Sequence, residues 1–129
     1  VYKRQLLQIA TDKRVYIIRL KSVKMNSELA SIFSNKNIIK VGIAVRDDLK
    51  DLKKIHPFDE KSVVDLNILA SELGFESIGA KKLSALVLGF RISKRQQVSN
   101  WELEELTQAQ INYAATDAWI CREIYLRLT

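Results

Sequence analysis

The sequence predicts an α/β layered fold in a single domain that spans residues 1–129. Two short strand-like segments come first, the second of them rich in β-branched and aromatic residues, and short apolar segments then alternate with amphipathic ones. A long helix with a strong N-terminal capping signal ends it. Alternation of this kind is typical of a sheet covered by helices. With 129 residues, 47% of them hydrophobic, the chain is long enough to build one hydrophobic core.

The first two segments predict a β-hairpin. Strands are expected over residues 5–11, QLLQIAT, and over residues 15–20, VYIIRL. Asp12 and Lys13 lie between them and predict a tight turn, although this pair lacks the glycine that is typical of two-residue turns.

The middle of the chain predicts alternating strands and helices. A nearly continuous apolar run, IIKVGI over residues 38–43, is expected to be an interior strand, and a shorter strand is expected over 62–65. Helices are expected over 26–33, 47–55, 66–73 and 81–88, and glycines follow the last two. In the last of these, the residues expected to face inward are Leu83, Leu86 and Val87. An irregular basic segment is expected over 90–101.

The final helix is predicted from Thr107 to Leu128, with Thr107 and Gln110 as a capping box. Its predicted inward stripe consists of Ile111, Ala114, Ala115, Ala118, Cys121, Tyr125 and Leu128. Tyr113 and Asp117 lie four residues apart, so they share one face beside that stripe. A phenol and a carboxylate placed together can bind a metal and orient a water. Spacing alone favours the alternative, a surface tyrosine above a solvated aspartate.

Two motifs resemble those of a known family. The sequence Tyr113-Ala-Ala-Thr-Asp117, preceded by Ser-Asn-Trp and Leu-Thr, resembles the third motif of the DEDDy 3′–5′ exonucleases. This family includes ribonuclease D and the exonuclease domain of the Werner syndrome protein. KVGIAVRDDLKDL, over 40–52, resembles the second motif, in which an Asp follows a Lys-x-Gly strand. The resemblance covers nearly the whole chain and implies a ribonuclease H-like three-layer fold, a mixed five-stranded sheet flanked by helices.

The resemblance also implies the chemistry. On this match Asp48 and Asp117 are catalytic carboxylates that bind metal, and Tyr113 is the catalytic tyrosine that orients the attacking water. The implied cofactors are two Mg²⁺ or Mn²⁺ ions, which prefer oxygen ligands and activate phosphodiester hydrolysis. Asp47 is adjacent to Asp48, which leaves the register open by one residue. From position alone, either acid could be merely a helix cap.

The family's other two acids form an Asp-x-Glu pair on its first strand, and no such pair is found here. The four residues before the first predicted strand include no acid. Asp59 and Glu60 have no residue between them, while Glu102 and Glu104 lie in the wrong place and order. We therefore expect an N-terminally incomplete domain that is inactive by itself, with the central first strand absent from this sequence. The alternative is a degenerate homologue.

The missing strand predicts a rearranged sheet. In the family it lies between the hairpin and the strand at 38–43, so its absence would leave unpaired strand edges. We expect another segment to fill the gap, or the hairpin to pair directly with 38–43. In either case Asp48 and Asp117 are expected to face each other across an open cleft.

The charge predicts a polyanionic partner. The net charge of +6 and the pI near 9.5 suit a nucleic acid, although a soluble basic protein would look similar. Lys94 and Arg95 precede Trp101, a pattern that suits phosphate contacts and base stacking at a single-stranded 3′ end. Alternatively, the cations form a solvated face and Trp101 packs against the last helix. Glu104 and Glu105 stand where the family often has Arg-Pro, which removes a cation near the site.

Several other functions are not indicated. No apolar run approaches the length of a membrane span, so no membrane partner is expected. The single Cys121 cannot form an internal disulfide, and it is expected in the core of an intracellular protein, cytoplasmic in a bacterium or else nuclear. Asp65 is expected to cap a helix, and His56 to lie in an exposed loop. The predicted function is a metal-dependent 3′–5′ exonuclease acting on DNA or RNA, with a non-catalytic nucleic-acid-binding module as the alternative.

Overall fold

The computed structural model describes residues 6–20, 26–75, 83–89, 99–100, 103 and 105–129. The elements follow in the order β1 (Leu6–Ala10), β2 (Val15–Arg19), α1 (Ser27–Ser34), β3 (Lys40–Gly42), α2 (Val45–Ile55), β4 (Val63–Asp65), α3 (Leu66–Glu72), a π-helical segment (Ser84–Leu88) and α4 (Gln108–Leu128). The predicted alternation of strands and helices is therefore confirmed. Among the described residues, no helix combines the length and apolar character needed to cross a bilayer.

The predicted hairpin is confirmed. β1 and β2 pair antiparallel, with Ala10 opposite Val15 at the turn end. The N–H of Thr11 donates to the carbonyl of Arg14 at 2.9 Å. The Thr11 hydroxyl accepts from the N–H groups of Lys13 and Arg14, both at 3.3 Å. These side-chain bonds satisfy backbone groups of a turn that contains no glycine.

The second sheet is parallel and shorter than predicted. β3 pairs with β4, with Lys40 opposite Val63 and Gly42 opposite Asp65. Because the strands are parallel, their carboxyl ends lie at the same edge of the sheet. Among the described strands this pair is not hydrogen-bonded to β1–β2. The expectation that the hairpin would pair with β3 is therefore wrong for the described part of the chain, and no described strand lies between the two sheets.

α4 connects the two sheets. It packs against β1 and β2 and also against β3, α3 and the π-helical segment. Its predicted capping box is present: the Thr107 hydroxyl accepts from the Gln110 N–H at 3.1 Å, and the Gln110 side chain accepts from the Thr107 N–H at 2.9 Å.

The predicted inward face of α4 is partly wrong. Ile120 and Ile124 are fully buried, whereas Ile111, which was predicted to be inward, is 36% exposed. Ala114 is buried as expected. The helix contacts two sheets at once, so the packing of those sheets determines its buried face more than the apolar periodicity does.

The hydrophobic core has two clusters. The first packs α1 and α2 against the hairpin and contains Leu20, Ala30, Phe33, Leu49 and Leu52. The second packs α4 against α3 and the π-helical segment and contains Leu66, Ala70, Leu83, Ile120 and Ile124. The second cluster places the middle of α4 over β3, because Val41 and Ile43 pack against it.

The predicted helix at 81–88 is a π-helical segment where it is described. Leu83 is fully buried and Val87 packs against the second cluster, as expected. Leu86, which was also predicted to be inward, is 60% exposed. A π-helix is wider than an α-helix and changes the angle between successive side chains, so the 3.6-residue period fails here. Gly89 ends the segment with φ +80°.

Candidate active site

The turn from β3 into α2 positions the acids of the second motif. A Cβ atom on Gly42 would lie 3.1 Å from the Cβ of Val45, so this position suits only glycine without a shift of its neighbour. Ala44 is the N-cap of α2, in the left-handed conformation with φ 55° and ψ 38°. α2 begins at Val45, so Asp47 and Asp48 lie within its first turn. The interpretation of either acid as the cap is therefore wrong. Both still lie where the free N–H groups and the helix dipole favour a carboxylate.

Asp65 lies at the carboxyl end of the neighbouring strand. Its Oδ1 accepts from the N–H of Asn67 at 2.9 Å, which confirms the predicted cap of α3. The same oxygen accepts from the N–H of Ala44 at 3.4 Å. Asp65 therefore contacts the β3–α2 turn as well as its own helix, a contact that the sequence did not predict.

Tyr113 and Asp117 lie on α4 and are both partly buried, whereas Asp48 is exposed. Their spacing places them one helical turn apart on the same face. The thiol of Cys121, one turn further on, donates to the Asp117 carbonyl at 3.3 Å. The alternative of a solvated surface pair is not favoured by this partial burial. The catalytic role of each residue stays a prediction.

Three carboxylates lie within electrostatic range of the Cys121 thiol. The pKa of its thiol is raised to about 12, chiefly by burial. The negative charges of Asp117, Asp65 and Asp48 raise that pKa as well, while the N–H of Ile43 opposes them as a hydrogen-bond donor. Carboxylates from α2, the end of β4 and α4 thus lie within electrostatic range of one sulfur. The fold brings Asp48 and Asp117 to the same region of the molecule, and Asp65 lies in that region too. Cys121 itself packs against the second core cluster, as predicted.

The donor chemistry fits a hard divalent ion, because carboxylate oxygens are the ligands that Mg²⁺ and Mn²⁺ prefer. Asp48 and Asp117 could supply two of those ligands. Within the described residues, however, no three His, Cys, Asp or Glu side chains lie close enough together to hold a metal. The described residues therefore fit part of a metal site and do not complete one.

A buried glutamine ties the third motif together. The Gln110 side chain is 1% exposed. Its Nε2 donates to the Ser99 hydroxyl at 2.9 Å and to the Asn100 carbonyl at 2.8 Å. These bonds fix residues 99–100 against the first turn of α4, close in sequence to Tyr113. The sequence predicted only the capping role of Gln110. Its burial was not indicated by the apolar pattern, since glutamine is usually exposed.

The predicted nucleic-acid contacts Lys94, Arg95 and Trp101 lie outside the described residues. One contact near them is described: Arg19 on β2 donates from Nη2 to the carbonyl of Leu103 at 2.7 Å. This bond holds the segment that leads into α4 beside the hairpin.

Residues 3–129 match the family model of the 3′–5′ exonucleases. The chain is similar in sequence to a putative 3′–5′ exonuclease of Acanthamoeba polyphaga mimivirus, with 32% identity over 98% of this chain and 36% of that protein. It is also similar to DNA polymerase I of Aquifex aeolicus, with 28% identity over 96% of this chain and 21% of that protein. In structure it resembles Escherichia coli RNase D and the Aedes aegypti Nibbler EXO domain.

 The TM-score is 0.88 for RNase D, at 25% identity over 96% of this chain and 33% of the other. It is 0.84 for the Aedes aegypti Nibbler EXO domain, at 26% identity over 96% of this chain and 68% of the other.

The chain spans about a third or less of the two sequence relatives, 36% of one and 21% of the other. The match with the family model covers nearly all of the chain. Together with the structural similarity, it confirms the resemblance and the ribonuclease H-like fold class that the motifs implied. This chain therefore belongs to the 3′–5′ exonuclease family.

Proposed function

We propose that this domain acts, within the whole protein, as a metal-dependent exonuclease that hydrolyses phosphodiester bonds from the 3′ end of DNA or RNA. The main observation in support is that Asp48 on α2 and Asp117 on α4 both lie within electrostatic range of the Cys121 thiol. Tyr113 lies one helical turn before Asp117 on the same helix. A hydroxyl one helical turn from a carboxylate on the same face suits the binding and orientation of an attacking water.

The proposed roles follow from the chemistry of each group. Asp48 and Asp117 hold divalent ions, Mg²⁺ or Mn²⁺, of which the complete site takes two. When bound, these ions neutralise charge on the phosphate and stabilise the attacking and leaving oxygens. The Tyr113 hydroxyl forms a hydrogen bond to the attacking water and orients it towards the phosphorus. Asp48 lies in the first turn of α2, where the free backbone N–H groups and the helix dipole favour a carboxylate.

The remaining ligands are proposed to come from residues outside this sequence. The first four residues are Val-Tyr-Lys-Arg and include no acid. Two carboxylates alone should bind Mg²⁺ weakly, because a hard ion needs several oxygen ligands besides water. We therefore expect the 129-residue chain by itself to be inactive, and the whole protein to be active.

The proposed substrate is a single-stranded 3′ end. The net charge of +6 suits a polyanion, and Lys94, Arg95 and Trp101 are the proposed phosphate and base contacts. The names of the relatives point to both nucleic acids. One relative is a DNA polymerase and one structural neighbour is described as an exoribonuclease. Both substrates therefore belong in the test.

A second candidate is a nucleic-acid-binding module of the same fold without catalysis. One observation favours it: the described residues bring no three potential ligands close enough together for a metal. This candidate predicts tight binding of a single strand that does not depend on Mg²⁺ or Mn²⁺.

The test uses 5′-labelled single-stranded DNA and RNA, with the 129-residue chain and the full-length protein assayed in parallel in Mg²⁺ or Mn²⁺. Calorimetry measures Mn²⁺ binding to the same two samples. We expect stepwise shortening from the 3′ end by the full-length protein only, and loss of that activity in Asp48→Asn. Asp59→Asn, which changes an exposed loop acid, is the control and should be active.

Two results would contradict the proposal. Binding without metal-dependent cleavage by the full-length protein would support the binding module instead. Strong cleavage by the 129 residues alone would show that the ligand assignment is wrong.

A further inference from the structure

The turn between β3 and α2 has an unfavourable backbone conformation. Ala44 lies in the left-handed region with φ 55° and ψ 38°, which residues with a Cβ rarely adopt. It forms no side-chain cap on α2. The close approach of Val45 to Gly42 leaves little room for the turn to relax. A conformation of this kind persists only where neighbouring groups hold it in place.

The Asp65 carboxylate is placed to hold this turn. Strand pairing sets Asp65 opposite Gly42, so its side chain lies beside the residues that follow β3. The bond from the Asn67 N–H, at 2.9 Å, orients the carboxylate. The same Oδ1 then accepts from the N–H of Ala44, the residue with positive φ, at 3.4 Å. That bond is longer than the usual 2.7–3.2 Å, and it adds to the bond from Asn67 on the same oxygen.

The position of Asp48 depends on how this turn ends. Asp48 lies in the first turn of α2, so a change in the direction of the helix start moves its carboxylate directly. The other side of the turn contacts α4, because Ile43 and Cys121 pack against the same core cluster. The Cys121 thiol donates a hydrogen bond to the Asp117 carbonyl, one helical turn earlier. The same short turn is therefore contacted from two sides, by Asp65 and by the helix of Asp117.

We propose that Asp65 is a positioning residue for Asp48: its carboxylate holds the β3–α2 turn through the N–H groups of Ala44 and Asn67 and so sets the distance between Asp48 and Asp117. Asp65 acts through the backbone and is not needed as a metal ligand. The effect on metal binding and cleavage rests on the proposed function. The stabilisation of the β3–α2 turn by Asp65 does not rest on that function, and it can be measured without metal or substrate.

The experiment compares Asp65→Ala with Asp65→Asn in the full-length protein. The asparagine keeps an oxygen that can accept both hydrogen bonds, while the alanine removes it. Asp59→Ala removes an exposed loop acid and is the control. For each variant, NMR gives the hydrogen-exchange rate of the Ala44 N–H and the carboxyl ¹³C shift of Asp48 without metal. Mn²⁺ affinity, kcat and KM are then measured.

In Asp65→Ala we expect exchange at Ala44 to be faster by about 10-fold or more, because the amide loses its acceptor. The Asp48 carboxyl shift should change. Mn²⁺ affinity should weaken by about 10–100-fold, the usual effect of losing a group that orients a ligand. kcat should fall with KM nearly unchanged. Asp65→Asn should stay close to wild type in all of these measurements, and so should the control.

Three results would overturn the proposal. Unchanged exchange at Ala44 in Asp65→Ala would show that the carboxylate does not hold the turn. Faster exchange with an unchanged Asp48 shift would show a structural role only. Equal losses in the alanine and asparagine variants would assign the effect to charge. If wild type neither binds Mn²⁺ nor cleaves, the proposed function fails, and the exchange rate and Asp48 shift still decide this proposal.

Discussion

Replacing Gln110 with Ala tests how the first turn of α4 is held. The side chain is 1% exposed. Its Oε1 accepts from the Thr107 N–H at 2.9 Å, and its Nε2 donates to the Ser99 hydroxyl at 2.9 Å and to the Asn100 carbonyl at 2.8 Å. The substitution removes all three bonds and leaves the bond from the Gln110 N–H to the Thr107 hydroxyl, since that one uses the backbone.

The size of the effect follows from these contacts. Each hydrogen bond contributes about 1 kcal/mol to the free energy of unfolding, so three contribute about 3 kcal/mol. Thr107 and Asn100 are exposed, so water replaces part of the hydrogen bonding that their backbone groups lose. Alanine is also a slightly better helix former. We expect a net loss of about 2–3 kcal/mol, which for a domain of this size lowers Tm by roughly 6–15 °C.

Urea denaturation and thermal unfolding measure this loss. Gln108→Ala is the matched control, because Gln108 lies in the same helix turn, is exposed and, among the described residues, donates to the Asn112 side chain alone, at 2.9 Å. The free energy of unfolding of this control variant should fall by less than about 0.5 kcal/mol. If Gln110→Ala is no less stable than Gln108→Ala, the buried amide does not hold residues 99–100 as argued.

Three further predictions concern the acids, the tyrosine and the thiol. Asp117→Asn in the full-length protein should abolish cleavage in Mg²⁺ with little change in the urea midpoint, and near-wild-type cleavage would contradict its role as a ligand. Tyr113→Phe keeps the ring and loses only the hydroxyl, so substrate binding should persist while kcat falls by about 10²–10⁴-fold; an unchanged kcat would mean a structural role. The pKa of Cys121 is raised to about 12, so the buried neutral thiol contributes stability below its unfolded pKa that is lost as pH rises towards 12. Unfolding at pH 8, 10 and 11 should therefore show a smaller decline in Cys121→Ala than in wild type, and equal declines would refute this.

Local signals in the sequence determined several parts of the fold. The capping box at Thr107 and the Asp65 cap of α3 were both predicted, because each is a bond between residues two or three apart. The hairpin was predicted for the same reason. The spacing of Tyr113 and Asp117 placed them on one face of a helix before any tertiary contact was known. The motifs also indicated the family, which the match over residues 3–129 confirms.

The tertiary structure decided what depends on contacts between distant elements. Ile120 and Ile124 are buried in place of Ile111 because α4 packs against both sheets, and apolar periodicity cannot indicate which neighbours a helix meets. The two sheets are separate among the described strands, although the strand patterns alone allowed them to pair.

The candidate site shows the same division. The sequence identified Asp65 only as a cap, because its bond to Ala44 links two strand ends that meet through parallel pairing. The approach of Asp48 to Asp117 likewise required α4 to lie over β3. Helix caps and spacings are local and can be predicted from the chain, whereas the grouping of carboxylates around Cys121 arises only when the sheet and α4 pack together.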